Sequence, residues 1–112
     1  MPEIKENELF TVMVEFEVEP KYQQTLIDEI TKQVDRYFTH FSGFVSASFH
    51  ASDDGFRVVN YGQWQSKSAW EGRSRETDFN IVKEKISEII IRCEAKTAKV
   101  DSFRVARVIE KA

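Results

Sequence analysis

Residues 43–70, GFVSASFHASDDGFRVVNYGQWQSKSAW, decide the fold of this chain. Two runs that alternate apolar and polar residues flank residues 52–55 (SDDG), a sequence typical of a tight hairpin turn. Because successive side chains of a strand point to opposite faces, each run divides into two sets. We expect the two strands to pair antiparallel, with His50 near the hairpin end. The predicted shared faces are Phe44, Ser46, Ser48 and His50 on the first strand, and Val58, Asn60, Gly62 and Trp64 on the second.

The rest of the chain predicts two more strands and three helical segments. Apolar residues alternate in the strands and recur every three or four residues in the helices. A polar stretch, residues 73–77, separates the last two helices. In chain order the segments are a strand over 9–18, a helix over 21–40 after Pro20, a short helix over 67–74 capped by Ser66, a helix over 78–93 capped by Asp78, and a strand over 98–109 that is apolar on both faces.

This order of elements predicts an α+β fold of the ferredoxin-like type, the split βαβ arrangement. We expect a four-stranded antiparallel sheet with the helices on one face. The other face would carry Met13, Tyr61 and Phe103, which is too apolar a surface to leave in water. A homodimer that packs sheet against sheet, with residues 103–109 contributing, would cover it.

Composition and charge limit the class of protein. The 112 residues fit one domain, residues 1–112, with 41% hydrophobic residues and a net charge of −3. Lys and Arg are interleaved with Glu and Asp, which argues against a nucleic-acid partner. Cys93 is the single cysteine, so an intrachain disulfide is excluded and a reducing compartment is favoured. We read no signal peptide and no membrane span, and expect a cytoplasmic protein without membrane contacts.

The hairpin carries a family resemblance. SGFVSASFHASDDG (42–55) followed by RVVNYGQWQSKSAW (57–70) resembles the antibiotic biosynthesis monooxygenase family. The resemblance implies a dimeric α/β barrel with a substrate cavity between sheet and helices in each subunit. It implies oxidation of a phenolic polycyclic aromatic of the anthrone type to a quinone by O₂, without metal, flavin or haem. Asn60 and Trp64 would line the pocket, and His50 would lie in the pocket region.

The chemistry of such a reaction asks for few groups. A deprotonated phenol or anthrone is electron-rich enough to give an electron to O₂, so the protein needs an apolar slot, a donor to the oxyanion and a route for the proton. Asn60 and Trp64 offer donors that do not titrate near neutrality, whereas the charge of His50 can change there. These three are the candidate catalytic residues. Candidate substrate-binding residues are Trp70, Tyr37 and Phe49.

Each candidate has a structural alternative. Trp64 could be a core aromatic residue whose indole N–H meets a backbone carbonyl. Asn60 is less easily explained as packing, because an asparagine in the middle of a strand is disfavoured and needs a partner when buried. His50 could be a solvated surface histidine. The aromatic candidates for substrate binding could be plain core.

Three functions therefore stay open from the sequence. The first is a cofactor-free oxygenase acting on a small aromatic substrate and O₂. The second is a haem-degrading monooxygenase, which the absence of a histidine from residues 78–93 weighs against. The third is a non-catalytic dimeric barrel that binds a ligand. His40, His50 and the lone cysteine make a poor set of metal ligands, so we expect no metal and no organic cofactor.

Overall fold

The structure, a computed structural model, describes residues 9–112. Short 3₁₀ turns, Phe38–His40 and Gly72–Arg75, extend the first and second helices. Ser66 caps the second helix as predicted, since its Oγ accepts a hydrogen bond of 3.0 Å from the Ala69 N–H. The elements are β1 Phe10–Glu17, α1 Pro20–Tyr37, β2 Phe44–Ala51, β3 Arg57–Trp64, α2 Lys67–Glu71, α3 Phe79–Arg92 and β4 Lys96–Arg104.

The four strands form one antiparallel sheet in the order β2-β3-β1-β4. Helices α1 and α3 pack against each other and cover one face of it. The predicted ferredoxin-like α+β fold is therefore confirmed. β1 and β3 occupy the middle of the sheet, so their helix-facing side chains, including Val12, Val58 and Trp64, are buried.

Two groups of buried side chains hold the helices to the sheet. One group lies towards the hairpin end and joins Phe16 and Val58 to Leu26, Ile30 and Ile89. The other lies towards the opposite end. It consists of Val12, Phe41, Trp64 and Val82. Side chains of both groups, including Phe16 and Trp64, also line a cavity between the sheet and the helices.

β2 contains a β-bulge, and its side chains therefore lie on different faces from those predicted. The register with β3 shifts between Phe44 and Ser46, so Phe44 lies opposite Trp64 whereas Ser46 lies opposite Gln63. A bulge inserts one extra residue, which reverses the side-chain alternation beyond it. Phe44 therefore shares the helix-covered face with Ala47 and Phe49. Ser46, Ser48 and His50 lie on the other face, and the prediction that they share a face with Phe44 is wrong.

The last strand differs from its predicted bounds at both ends. β4 begins at Lys96 and ends at Arg104, whereas the sequence predicted a strand over 98–109. Arg104 lies opposite Phe10, the first residue of β1, so the ladder has no further partner residue for β4. Residues 105–112 therefore follow the sheet as irregular structure.

The face of the sheet away from the helices carries an apolar groove. Met13, Tyr61 and Phe103 line it together with residues 104–108, and the side chain of Phe103 is 49% exposed. This is the surface for which the sequence predicted a second sheet. Within residues 9–112 there is no helix whose length and apolar character would let it cross a membrane.

Candidate active site

A cavity of about 270 Å³ lies between the sheet and the helices. It is larger than the roughly 150 Å³ in which an apolar cavity holds one benzene, so it has room for more than a single ring. The cavity opens to solvent beside Val100 on the edge strand β4, a side chain that is 53% exposed. Its wall is mostly apolar, and the polar or aromatic side chains on it are Asn60, Thr97, Trp64, Trp70, Arg73, Phe16, Phe38 and Phe44.

Asn60 lines this cavity and carries a buried polar atom without a partner. It lies at the middle of β3, where it faces Val14 of β1 and Phe49 of β2. Its Oδ1 is buried and has no hydrogen-bond partner within residues 9–112. A buried amide oxygen without a partner costs free energy, about 1–3 kcal/mol. The amide therefore suits a ligand that brings its own hydrogen-bonding group into the cavity.

Trp64 lies on the same strand face as Asn60, and its indole extends over Gly62 between them. Four strand residues span about 13 Å, which would keep the two side chains apart if both stood upright. A Cβ built on Gly62 would lie only 3.8 Å from Trp64 Nε1, so the indole N–H leans along the strand over this glycine. Phe44 packs against the indole ring edge to face, with ring centroids 5.3 Å apart. The indole is thereby fixed at the cavity wall.

Trp70 of α2 and Arg73 of the 3₁₀ turn after it form a second wall. Gly43, at φ +81°, packs its backbone against Ala69, and a side chain at this position would collide with it. This close approach brings α2 over the end of the sheet. The Trp70 ring lies 5.9 Å from that of Phe10, and the guanidinium carbon of Arg73 lies 4.0 Å from the Trp70 ring centroid.

Arg73 is a site residue that the sequence reasoning missed. It lies in residues 73–77, which the sequence analysis treated as a polar stretch between helices. Arg73 Nη1 donates a hydrogen bond of 2.8 Å to the Trp70 carbonyl oxygen. Burial lowers the pKa of the Arg73 guanidinium from its ordinary value. The guanidinium lies over the rings of Trp70 and Phe79. These two nearby aromatic residues are the one local feature of the sequence that could have indicated a buried position for Arg73.

His50 does not lie in the cavity. It is an exposed residue opposite Val59, on the sheet face away from the helices, and its Nε2 lies 3.1 Å from Ser48 Oγ. The bulge in β2 is the cause, because it places His50 and Asn60 on opposite faces. The expectation of a pocket histidine is therefore corrected, and a catalytic role for His50 loses its geometric basis.

Two of the three predicted substrate-binding residues also lie outside the cavity. Tyr37 packs against the buried group around Trp64 and lies beside Arg36. Phe49 faces a shallow groove between α1 and β2, although Asn60 is its neighbour across the ladder. Trp70 is the predicted member of this set that lines the cavity.

The cavity wall offers no general base. Among the described residues that line it there is no carboxylate, histidine, lysine or tyrosine, and Arg73 is the one charged side chain. Within residues 9–112 no three His, Cys, Asp or Glu side chains are grouped so that they could hold a metal ion. The polar features that this wall offers a ligand are hydrogen-bonding side chains and the positive charge of Arg73.

An antiparallel sheet with its helices on one face and an apolar cavity beneath them defines a ferredoxin-like α+β protein with a ligand-sized site. The profile of the antibiotic biosynthesis monooxygenase family matches residues 9–84. The chain therefore belongs to this family, and the predicted family is confirmed.

Individual relatives agree with this assignment. The chain is 44% identical over 61 residues to tetracenomycin F1 monooxygenase of Streptomyces glaucescens, and this match covers 54% of each chain. The chain thus spans about half the length of that curated relative. Among solved structures it is similar to the ActVA-Orf6 monooxygenase of Streptomyces coelicolor in complex with nanaomycin D, with 28% identity, a TM-score of 0.75 and 92% of each chain covered.

A more distant structure shows the same fold. SnoaB, a cofactor-independent oxygenase from Streptomyces nogalater, has a TM-score of 0.65 at 13% identity and covers 93% of this chain and 99% of its own.

Proposed function

We propose that this chain is a cofactor-independent monooxygenase that oxidises a phenolic polycyclic aromatic of the anthrone type to a quinone with O₂. The observation that carries the proposal is an asparagine amide, that of Asn60, on the wall of an apolar cavity, with a buried Oδ1 that has no partner within residues 9–112. The names of the relatives support it, because they are monooxygenases or cofactor-independent oxygenases, one of them with a bound nanaomycin.

The reaction balances without an external reductant. The methylene carbon of an anthrone loses two hydrogens and gains one oxygen atom, which gives the quinone carbonyl. O₂ supplies that oxygen, and its second atom leaves as water with the two hydrogens. The aromatic substrate thus supplies all four electrons that reduce O₂, so the protein has only to bind the substrate and favour its ionised form.

Asn60 can serve the substrate both before and after ionisation. The NH₂ of the amide donates to the phenolic oxygen in the neutral state, and it donates more strongly to the oxyanion once the proton has left. The indole N–H of Trp64, which leans over Gly62, is the second donor. Because the wall carries no base, the proton leaves to water at the opening beside Val100.

We further propose that the protein is a homodimer that buries the groove around Met13, Tyr61 and Phe103. An apolar groove with a half-exposed phenylalanine suits a second copy better than water. A cytoplasmic location and the absence of metal and organic cofactors stay predictions from the sequence.

Substrate-dependent uptake of O₂ in metal-free buffer tests the proposed function. With a dihydroxyanthrone as substrate, the uptake should exceed the rate without protein and should give one quinone for each O₂ consumed. A non-catalytic barrel would bind the ring system but leave the rate of uptake unchanged. A haem-degrading enzyme would instead bind haem with a shifted absorption band, and we expect no such shift.

A further inference from the structure

Arg73 is held at the cavity wall in an unusual electrostatic setting. Its guanidinium stacks on Trp70 at 4.0 Å and makes one hydrogen bond, to the Trp70 carbonyl oxygen. A guanidinium has five N–H donors, so further donors stay available to a ligand. Arg73 is partly buried, and its side chain forms no ion pair with a carboxylate of residues 9–112.

Other arginines of the chain, unlike Arg73, lie close to a carboxylate. Arg57 and Arg92 lie on the surface, each with a glutamate oxygen 3.9 Å away. A charge that is moved out of water without a partner destabilises the folded chain. The stack on Trp70 orients the guanidinium but brings no negative charge. The positive charge of Arg73 is thus left without a negative partner among residues 9–112.

We propose that the cavity selects aromatic ligands that carry an oxyanion on the ring system, and that Arg73 is the substrate-binding residue that pairs with this oxyanion. The inference rests on the proposed function in one respect, that the cavity is the substrate site. The oxyanion can be a ring carboxylate or an ionised phenol, since a guanidinium donates to either. With no base on the wall, the positive charge of Arg73 also favours the ionised form of a bound phenol.

Equilibrium binding of unreactive quinones tests this proposal without turnover. Trp64 and Trp70 are the two tryptophans of the sequence and both line the cavity, so quenching of their fluorescence reports a ligand there. The probes are an anthraquinone carboxylate and the matching carboxamide, which is neutral and of nearly the same shape. We expect the carboxylate to bind about tenfold to a hundredfold more tightly, as a charge-assisted hydrogen bond does.

The variant Arg73→Gln should remove this preference while leaving the affinity for the carboxamide within about twofold. Arg75→Gln is the matched control, because it removes the same charge from the same turn at an exposed residue outside the cavity. It should keep the preference. Arg73→Lys retains the charge and should keep part of the preference, which provides a second variant if Arg73→Gln does not fold.

A monohydroxyanthraquinone distinguishes the second source of the oxyanion. Its phenolate absorbs in the visible range, so the pKa of the bound phenol can be titrated directly. The wild type should lower that pKa relative to free dye, and Arg73→Gln should not. A preference for the carboxylate alone assigns Arg73 to a ring carboxylate, and a lowered phenol pKa alone assigns it to a phenolate.

Two further outcomes would overturn the proposal, and they differ from each other. If both quinones bind equally well and the phenol pKa is the same in wild type and Arg73→Gln, the cavity is a ligand site without selectivity for an oxyanion. If neither quinone quenches the wild-type fluorescence, the cavity is not an aromatic site and the proposed function fails as well.

Discussion

Replacing Asn60 with leucine should stabilise the protein and impair its activity at the same time. Leucine has nearly the shape of asparagine but no polar atoms, so it removes the buried Oδ1 that has no partner within residues 9–112. Relief of that desolvation is worth about 1–3 kcal/mol. We expect a gain near the lower end of this range, about 1 kcal/mol.

The expected shift in melting temperature follows from the size of the chain. For domains near 100 residues, 1 kcal/mol corresponds to about 4–8 °C, so Asn60→Leu should melt about 4 °C higher than the wild type. Turnover should fall roughly tenfold to a hundredfold, because one preorganised donor to the oxyanion is lost. Scanning calorimetry and O₂ uptake on the same preparation measure the two quantities.

Asn80→Leu provides the control for this experiment. Asn80 is exposed on α3, so its replacement should change the unfolding free energy by no more than about 0.5 kcal/mol and should leave turnover unaltered. A substrate-binding role for Asn60 would be excluded if Asn60→Leu melted several degrees lower than the wild type while the activity of each folded molecule stayed the same. Asn60 would then be a structural residue.

Three other variants test neighbouring parts of the account. Trp64→Phe keeps an aromatic ring but deletes the indole N–H, so turnover should fall about tenfold with little loss of melting temperature; a large fall in melting temperature at unchanged turnover would show that Trp64 only packs. His50→Ala should leave turnover within about twofold, because the imidazole lies on the far face of the sheet; a loss of tenfold or more would place His50 back in the mechanism. Phe103→Glu should convert the dimer to a monomer, as measured by light scattering at micromolar concentration. Ile91→Glu, at a residue of α3 that is 76% exposed, should leave the dimer intact. A monomeric wild type would exclude the dimer.

Local chemistry explains the parts of the fold that the sequence predicted well. The SDDG turn fixes where β2 and β3 meet, and Ser66 and Pro20 mark the starts of helices. The alternation in β3 is uninterrupted, so the shared face of Asn60 and Trp64 could be read directly. Such features depend on a few neighbouring residues and need no knowledge of the rest of the chain.

The bulge in β2 could not be read from alternation alone. Phe44 and Phe49 are five positions apart, so a regular strand would place one of them on each face. Both pack on the helix-covered side, which requires an extra residue between them. The gain in buried apolar area decides the register, and this is a tertiary effect that moved His50 out of the cavity.

Arg73 was missed for a similar reason. Its guanidinium reaches the cavity only because Gly43 lets α2 approach the sheet, and residues 43 and 73 are far apart in sequence. The polar stretch 73–77 reads as a solvated loop until that contact is known. The indole N–H of Trp64 likewise lies over residue 62, a contact that alternation alone does not show.

A crystal structure of the protein with a bound hydroxyanthraquinone is the most direct test of the claim that the cavity is the active site. The account predicts the ring system between the sheet and α3, with a ring oxygen about 2.7–3.2 Å from the Asn60 amide. Ring density confined to the groove around Met13 and Phe103, with the cavity at Asn60 left unoccupied, would contradict it.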